Sequence, residues 1–214
     1  MRYNFLPSFA RRKGRITKLQ EKNLSFLADY SLKHPNTLND NPSFDKIALE
    51  IGFGNGEDFF SFAKEKNNTL FLASEVYKSG IGNLIGKIRE HSLKNICIHE
   101  GDIRDLIFEE EGFRFDEVYI ICPDPWPKDR HHKRRLLNKE FFARIQACLK
   151  PNSLLFLSTD WKNYAEHILD VLRDFEDKFS VETIKQIPGR EFSKFQKKGI
   201  DEGREIYSFK LSLI

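Results

Sequence analysis

Short apolar runs alternate with longer amphipathic segments from residue 47 onward. Five of the runs read as buried strands: 47–51, 70–73, 95–98, 118–121 and 154–157. Four segments between or after them carry apolar residues at helical spacing: 58–66, 79–91, 139–149 and 164–175. Parallel strands need crossover connections, and helices supply them. The pattern therefore predicts an α/β fold, with a mostly parallel sheet and helices on both of its faces.

Two more strand-like segments, 181–187 and 205–213, follow near the C-terminus. In the second, polar and apolar positions alternate as they do in a half-buried strand. No helical pattern separates the two, so we expect a closing antiparallel hairpin that completes a sheet of seven strands. Residues 1 to about 40 lack clear alternation and predict one short helix. We therefore divide the chain into a basic N-terminal arm, residues 1–42, and one domain, residues 43–214.

Composition narrows the class of protein. The 214 residues carry a formal net charge of +3, with a basic N-terminal stretch over 11–15 and a second one over 128–135. Three separated cysteines form no CxxC pair, which favours neither a disulfide framework nor a thiolate zinc site and indicates a cytosolic protein. No apolar run approaches the roughly 20 residues that span a bilayer, and residues 1–5 lack the apolar core of a signal peptide.

A distinctive motif follows the strand 118–121. Asp124 and Trp126 stand between prolines, and a dense cationic run comes next, comprising Lys128, Arg130, His131, His132, Lys133, Arg134 and Arg135. A nucleic acid substrate needs a surface for base stacking, an acceptor for base edges and cations for its phosphates. The motif therefore favours a nucleobase pocket beside a phosphate track. A proline-stiffened loop followed by a solvated basic helix start is the plainer interpretation.

A glycine-rich loop lies between the first strand and the first helix of the domain, with Gly52, Gly54 and Gly56 at alternate positions. Glycines at this place let the backbone approach a ligand closely. The spacing is GxGxG rather than the GxGxxG of dinucleotide sites, which counts against NAD and FAD without excluding them. A tight strand-to-helix turn with no ligand remains the alternative.

Acidic residues follow four different strands at equivalent places: Glu75, Asp102, Asp124 and Asp160. Open α/β sheets bind ligands at this carboxyl edge, and an acid after the second strand suits ribose hydroxyls. Each acid alone could be a turn or N-cap residue. Together they suit S-adenosyl-L-methionine, because its sulfonium and ammonium groups are cationic and it has no pyrophosphate.

Segments 49–56, 123–128, 130–136 and 158–160 resemble the bacterial tRNA (guanine-N7)-methyltransferase family. The likeness extends from about residue 47 to the C-terminus, and its Asp-Pro-Trp and basic motif is far more specific than the glycine loop. The resemblance implies a Rossmann-like class I methyltransferase fold, S-adenosyl-L-methionine as the methyl donor, and tRNA as the partner. It implies that the acceptor is N7 of the guanine at position 46 in the variable loop.

The resemblance also assigns site residues. It implies that the donor contacts Glu50, Glu75, Asp102 and Asp124, beside the loop glycines Gly52, Gly54 and Gly56. It places the tRNA substrate on Lys128, Asp160, Ser193, Lys194, Phe195 and Gln196, and an RNA-interaction segment on Arg130, His131, His132, Lys133, Arg134 and Arg135. The family usually has Glu where this chain has Gln196, which leaves the role of that position open because an amide cannot neutralise a cation.

Chemistry gives Asp124 an expected role. Guanine N7 carries a lone pair that pairing does not use, so no general base is required in principle, and we expect Asp124 to act electrostatically and by positioning. Trp126 either stacks on the base or plugs the sheet end. Adjacent His131 and His132 have no third ligand, so no metal site is expected.

Two alternatives stay open: methylation of an exocyclic amine on another RNA, and a noncatalytic RNA-binding protein with a degenerate cofactor fold. Either a monomer or a homodimer is compatible with the sequence.

Overall fold

The computed structural model describes residues 5–10, 15–109 and 111–214. Residues 11–14, which include three of the N-terminal basic residues, lie outside the described part, and so do residues 1–4, part of the segment that was tested above for a signal peptide. The strands are β1 (Lys46–Ile51), β2 (Thr69–Glu75), β3 (Ile96–Glu100), β4 (Phe115–Ile121), β5 (Leu149–Thr159), β6 (Phe179–Ile184) and β7 (Tyr207–Leu213). The helices are α1 (Lys18–Leu24), α2 (Leu27–Tyr30), α3 (Asn36–Asn39), α4 (Glu57–Glu65), α5 (Lys78–His91), α6 (Ile103–Glu109), α7 (Lys139–Ala147), α8 (Lys162–Leu172) and α9 (Lys194–Asp201). Two 3-10 helices cover Asp129–Arg134 and Arg173–Phe175.

All seven strands form one sheet in the order β3-β2-β1-β4-β5-β7-β6. Strands β1 to β5 pair in parallel, and β7 runs antiparallel to both β5 and β6. The predicted α/β class, the mostly parallel sheet and the antiparallel C-terminal pair are therefore confirmed. Because these five strands run in the same direction, their carboxyl ends lie at one edge of the sheet, which we call the carboxyl edge.

The core consists of two apolar layers, one on each face of the sheet. Within β1, Ile47 and Leu49 point into the layer that packs under α6, α7 and α8, whereas Ala48 points into the layer under α4 and α5. Strands buried on both faces are apolar at nearly every position, which is why the sequence shows runs rather than alternation here. The helices on both faces are therefore confirmed as well.

The connection between β6 and β7 differs from the expectation. The expectation that no helix separates them is wrong, because α9 lies between them. This helix has only eight residues and few apolar ones, so its periodicity is weak, but Ser193 and Gln196 form a capping box that starts it. The segment leaves β6 at Ile184 and enters β7 at Tyr207, which faces Thr159. The whole connection therefore lies at the carboxyl edge.

The N-terminal part is more helical than expected, since α1, α2 and α3 replace the single short helix. Helix α1 packs against α5, where the side chains of Gln20 and Asn23 bond to Asn83 and to the carbonyl of Gly82. Helix α6 after β3 was not predicted at all. No helix in the described ranges is both long and apolar enough to cross a lipid bilayer.

The loop between β1 and α4 depends on its glycines. Gly52, Gly54 and Gly56 have φ angles of 78°, 61° and 80°, in the region that residues with a Cβ rarely adopt. Gly80 in α5 lies against the same loop: a Cβ on it would project directly onto the carbonyl oxygen of Gly54. The absence of a side chain on Gly80 therefore sets how closely α5 approaches the loop.

We predict that Gly80→Ala destabilises the protein by about 1–3 kcal/mol, the usual cost of overpacking. Its Cβ must displace the backbone of Gly54, which cannot move without distorting the loop. The matched control is Gly86→Ala in the same helix, where the new Cβ meets the end of the Asn23 side chain, which can turn away at the cost of its hydrogen bond to Gly82. Alanine gains up to about 1 kcal/mol of helix propensity there. Urea unfolding of the two variants measures the difference, and equal midpoints would show that the loop gives way freely.

Candidate active site

A cavity of about 480 Å³ opens at the carboxyl edge. It is lined by the ends of β1, β2, β3 and β4, by the start of α5, and by residues Ser8, Phe9 and Ala10 of the N-terminal arm. Three predicted acids face it: Glu75, Asp102 and Asp124. Gly52, Gly54 and Phe195 also line it. The structure thus brings together most of the predicted donor-site residues and one of the predicted substrate residues.

The Glu75 carboxylate organises the floor of this cavity. One of its oxygens accepts the backbone N–H of Gly54 at 2.6 Å, and the other accepts those of Val76 at 2.7 Å and Tyr77 at 3.0 Å. Backbone amides stabilise a carboxylate in its charged form. Glu75 therefore ties the glycine loop to the end of β2 while adding negative charge to the cavity.

Asp102 meets an arginine that the sequence did not single out. Its two oxygens accept from Nε of Arg104 at 3.0 Å and from Nη2 at 2.6 Å. The same guanidinium donates to the carbonyl of Leu6 at 3.0 Å and lies 4.7 Å from the ring of Phe5. Arg104 thereby links the loop after β3 to the N-terminal arm.

Asp124 stands on a strained loop. Cys122 and Trp126 on either side both have φ of 47°, which is costly for residues with a side chain. One Asp124 oxygen accepts the backbone N–H of Ala10 at 2.7 Å. Burial is the main reason that the pKa of the neighbouring Cys122 thiol rises to about 12, so this thiol stays protonated at neutral pH.

Trp126 is less free than a stacking platform would be. Its indole N–H donates to the carbonyl of Ser8 at 2.9 Å. The guanidinium of Arg134 lies 5.0 Å from the ring centroid, and the ring of His131 meets the indole edge-on at 5.7 Å. The arm and the basic segment therefore already occupy part of the indole surface, and both interpretations of Trp126 remain predictions.

The basic segment, residues 128–135, does not present all of its side chains to solvent. Lys128, Arg130 and Lys133 are exposed, whereas Arg135 is only 1% exposed. Arg135 donates to the carbonyl of Pro125 at 3.0 Å and to Oδ1 of Asn163 at 2.7 Å. Its direct contact with RNA, expected from the sequence, does not fit this position. The Arg135 side chain instead supports the Asp124 loop through its bond to the Pro125 carbonyl.

The two histidines of this segment differ in their surroundings. Desolvation and then the cations Arg130 and Arg134 lower the pKa of His131, which favours its neutral form at pH 7. His132 lies 3.6 Å from the carboxylate of Asp129. Among the residues that the structure describes, no group of three or more His, Cys, Asp or Glu side chains is arranged to hold a metal ion.

The predicted substrate segment 193–196 forms the start of α9. Ser193 and Gln196 cap the helix reciprocally: the Gln196 side chain accepts the N–H of Ser193 at 2.8 Å, and the Ser193 hydroxyl accepts the N–H of Gln196 at 3.3 Å. Gln196 also donates to the hydroxyl of Ser158 in β5 at 3.1 Å. Lys194 is exposed, and Phe195 reaches the cavity. Gln196 is therefore buried, and its side chain caps α9 and bonds the start of this helix to β5.

Asp160, at the end of β5, lies beside α9 rather than in the cavity wall. Its Oδ2 accepts from Nε of Arg204 at 2.9 Å. Gly199 of α9 lies so near Asp160 that a Cβ there would come within 2.9 Å of the carboxylate. Arg204 carries no motif in the sequence, and only its position in the β6–β7 connection reveals it.

Two predicted donor-site residues, Glu50 and Gly56, do not line the cavity. Gly56 lies against Leu84 of α5. Glu50 lies in β1. It is 1% exposed, and both of its oxygens face the guanidinium of Arg190. Sequence reasoning missed Arg190, Arg104 and the arm residues 8–10. A lone arginine or a short arm has no spacing pattern that would identify it, because its partners are distant in the chain.

Comparisons with known proteins agree with this geometry. The family model described as "Putative methyltransferase" matches residues 45–209. The chain is 36% identical over 211 residues to a tRNA (guanine-N(7)-)-methyltransferase of Nitrosococcus oceani, covering 96% of this chain and 89% of that one. A protein of the same name from Alkalilimnicola ehrlichii is 34% identical over 214 residues, covering 94% and 90%. Human Methyltransferase-like protein 13, solved in complex with SAH, shares the fold with a TM-score of 0.52 at 15% identity, covering 92% and 82%.

We predict that Gln196→Glu keeps the fold and that Gln196→Ala does not keep it equally well. A glutamate can still accept the Ser193 N–H, and the Ser158 hydroxyl can turn to donate instead of accept. Alanine removes the cap and leaves buried groups unpaired, a loss of about 1–3 kcal/mol. Thermal unfolding of both variants provides the measurement. A Gln196→Glu protein that unfolds as early as Gln196→Ala would show that the amide itself is required.

Proposed function

This chain belongs to the bacterial tRNA (guanine-N7)-methyltransferase family, and on that basis we propose which residues hold the methyl donor, which hold the acceptor base and which surface holds the tRNA. The protein uses S-adenosyl-L-methionine to methylate N7 of a guanine in tRNA. We place the acceptor at position 46 of the variable loop. Because the substrate is tRNA, we expect the protein to work in the cytoplasm.

The donor fits the cavity on chemical grounds. The cavity volume of about 480 Å³ suits a small-molecule site. The cavity-lining acids Glu75, Asp102 and Asp124 supply the negative charge that the sulfonium and ammonium groups of the donor require. We propose that Glu75, next to the glycine loop, holds the ribose hydroxyls. Open space beside the left-handed backbone of Gly52 leaves room for the ligand to approach the loop.

The bound donor supplies a methyl group on a sulfonium centre, and guanine N7 can accept it with an in-plane lone pair that needs no prior deprotonation. The protein therefore has to position and stabilise rather than remove a proton. We propose that Asp124 accepts from the guanine N1–H and 2-amino group and stabilises the positive charge that develops on the purine. The strained, proline-flanked loop of Asp124 supports this role because it fixes the carboxylate before the base arrives.

The N-terminal arm makes a hydrogen bond to the same Asp124 carboxylate. The Ala10 N–H donates to Asp124, and the Ser8 carbonyl accepts from Trp126. A guanine that presents its own N–H groups to Asp124 competes with Ala10 for the carboxylate. We therefore propose that residues 8–10 give way when the acceptor base enters.

We propose that the exposed cations of the basic segment carry the tRNA phosphates. Lys128, Arg130 and Lys133 are the solvent-facing members, and Lys194 at the start of α9 lies at the same edge of the sheet. Arg135 acts indirectly, by supporting the carbonyl of Pro125. No feature among the described residues favours the exocyclic-amine or noncatalytic alternatives that the sequence left open.

We predict that Asp124→Asn lowers kcat about 100- to 1000-fold, the usual effect of removing one preorganised electrostatic contact. Asparagine keeps the shape but loses the charge. Borohydride and aniline cleavage of the product tRNA detects N7-methylguanine, and a transcript with adenine at position 46 serves as the blank. The matched control is Asp129→Asn, an exposed acid five residues further on. Near-normal turnover by Asp124→Asn would contradict the assignment.

We predict that Arg130→Gln with Lys133→Gln makes tRNA binding less dependent on salt. Each phosphate contact adds about 0.7–0.9 to the slope of log K against log salt, so the slope should become shallower by about 1.4–1.8. The paired control is Lys64→Gln with Lys94→Gln, two exposed lysines at the opposite edge of the sheet. Binding titrations at several salt concentrations measure both. Identical slopes in the two double variants would place the tRNA elsewhere.

A further inference from the structure

A buried ion pair connects two parts of the site that are 140 residues apart in the chain. Nη1 and Nη2 of Arg190 donate to the two oxygens of Glu50 at 2.7 and 2.8 Å. The guanidinium also lies 5.0 Å from the ring of Phe62 and 3.5 Å from the carboxylate of Asp58. Burial alone would lower the pKa of Arg190, but the facing carboxylate of Glu50 outweighs this and raises it, so the arginine remains charged.

Each partner stands directly before a segment of the site. Glu50 is the penultimate residue of β1, two positions before Gly52 of the glycine loop. Arg190 lies three positions before Ser193, the N-cap of α9. A turn in which the Arg190 N–H donates to the carbonyl of Ile187 at 3.1 Å anchors this stretch, since Ile187 is itself buried in the core. The pair therefore fastens the start of α9 to the base of the glycine loop.

The position of α9 follows from this fastening together with two others. Gln196 in the first turn of α9 bonds to Ser158 of β5, and Arg204 just after α9 bonds to Asp160 just after β5, so both ends of the helix are held next to β5. Towards the glycine loop, the ring of Phe195 lies 3.5 Å from where a Cβ on Gly54 would stand. The ion pair between Arg190 and Glu50 ties the start of α9 towards β1 through a buried contact with bidentate geometry.

We propose that Arg190 is a positioning residue for methyl transfer: through Glu50 it holds α9, with its substrate segment 193–196, in register with the glycine loop that receives the methyl donor. Glu50 then serves as the anchor of α9 and not as a direct ligand of the donor. This inference rests on the proposed placement of donor and acceptor on either side of the cavity. Orientation between two reactants is where small displacements have large effects on rate.

The test compares Arg190→Gln, Glu50→Gln and the double variant. If the two residues act only as a pair, each single variant lowers kcat about 10- to 100-fold and raises KM for tRNA, and the double variant is no worse than either single one. The dissociation constant of S-adenosyl-L-methionine, measured by calorimetry, should change by less than about threefold in all of them. Arg190→Lys, which keeps the charge but not the fork, should recover part of kcat.

A purely structural effect is separated by a matched variant. Glu117 is another buried carboxylate, bonded to Lys46 at 2.7 Å and Lys66 at 3.0 Å, and it lies on β4 away from the cavity. Glu117→Gln should lower the unfolding temperature and leave kcat and both affinities unchanged when assayed well below that temperature. If a single variant at the pair does not fold, the double variant and Arg190→Lys carry the comparison, because neither leaves an unpaired buried charge.

Two results would overturn the inference. The first is a loss of donor affinity of tenfold or more in Glu50→Gln with normal affinity in Arg190→Gln, which would make Glu50 a direct ligand. The second is normal kcat and KM in every pair variant with only a lower unfolding temperature, which would make the pair structural. Failure of the wild-type protein to form N7-methylguanine in the same assay would instead count against the proposed function, while the donor-binding comparison would still test Glu50.

Discussion

The Glu75 carboxylate, with three backbone N–H donors from Gly54, Val76 and Tyr77, is the interaction on which the site depends. It joins the loop after β1 to the end of β2, so the cavity floor is one connected surface. The glycine loop can approach because Gly54 tolerates a left-handed backbone and Gly80 leaves room for it. Backbone N–H donors stabilise the charged form of a carboxylate. A negatively lined floor for a cationic ligand follows from this arrangement.

The other acids at the carboxyl edge are satisfied by partners that differ in how easily a ligand can replace them. Asp102 is paired with Arg104 and Asp160 with Arg204, both through charged groups. Among the residues that the structure describes, Asp124 is held by one backbone N–H, that of Ala10 in the arm. A neutral donor is exchanged at lower cost than a guanidinium, because a hydrogen bond between charged groups is roughly twice as strong. Asp124 is therefore the acid most open to an incoming base, and this agrees with its proposed role.

Sequence patterns predicted the elements with strong periodicity and missed those without it. Strands buried on both faces, such as β1 and β2, have apolar runs at their centres, and the acids at the strand ends were found by position alone. Helix α9 escaped detection because its eight residues include three lysines and a glycine. A charge run also cannot tell which of its members turns inward, so Arg135 was grouped with its exposed neighbours. Partners such as Arg190 and Glu50 are joined only by the fold, and a single sequence carries no local trace of them.

The loop of Asp124 explains why the arm, and not the site, would have to adapt. Pro123, Pro125 and Pro127 have fixed φ angles and no N–H groups, and Cys122 and Trp126 are held in a strained backbone conformation. Such strain persists only where the surroundings impose it, and here Arg135 supports Pro125 while the Cys122 N–H donates to Ser158 at 2.9 Å. A loop fixed at both ends and along its length cannot rearrange to meet a base. Residues 8–10 contact the loop through the hydrogen bonds of Ala10 and Ser8, and moving these residues breaks only those bonds to the loop.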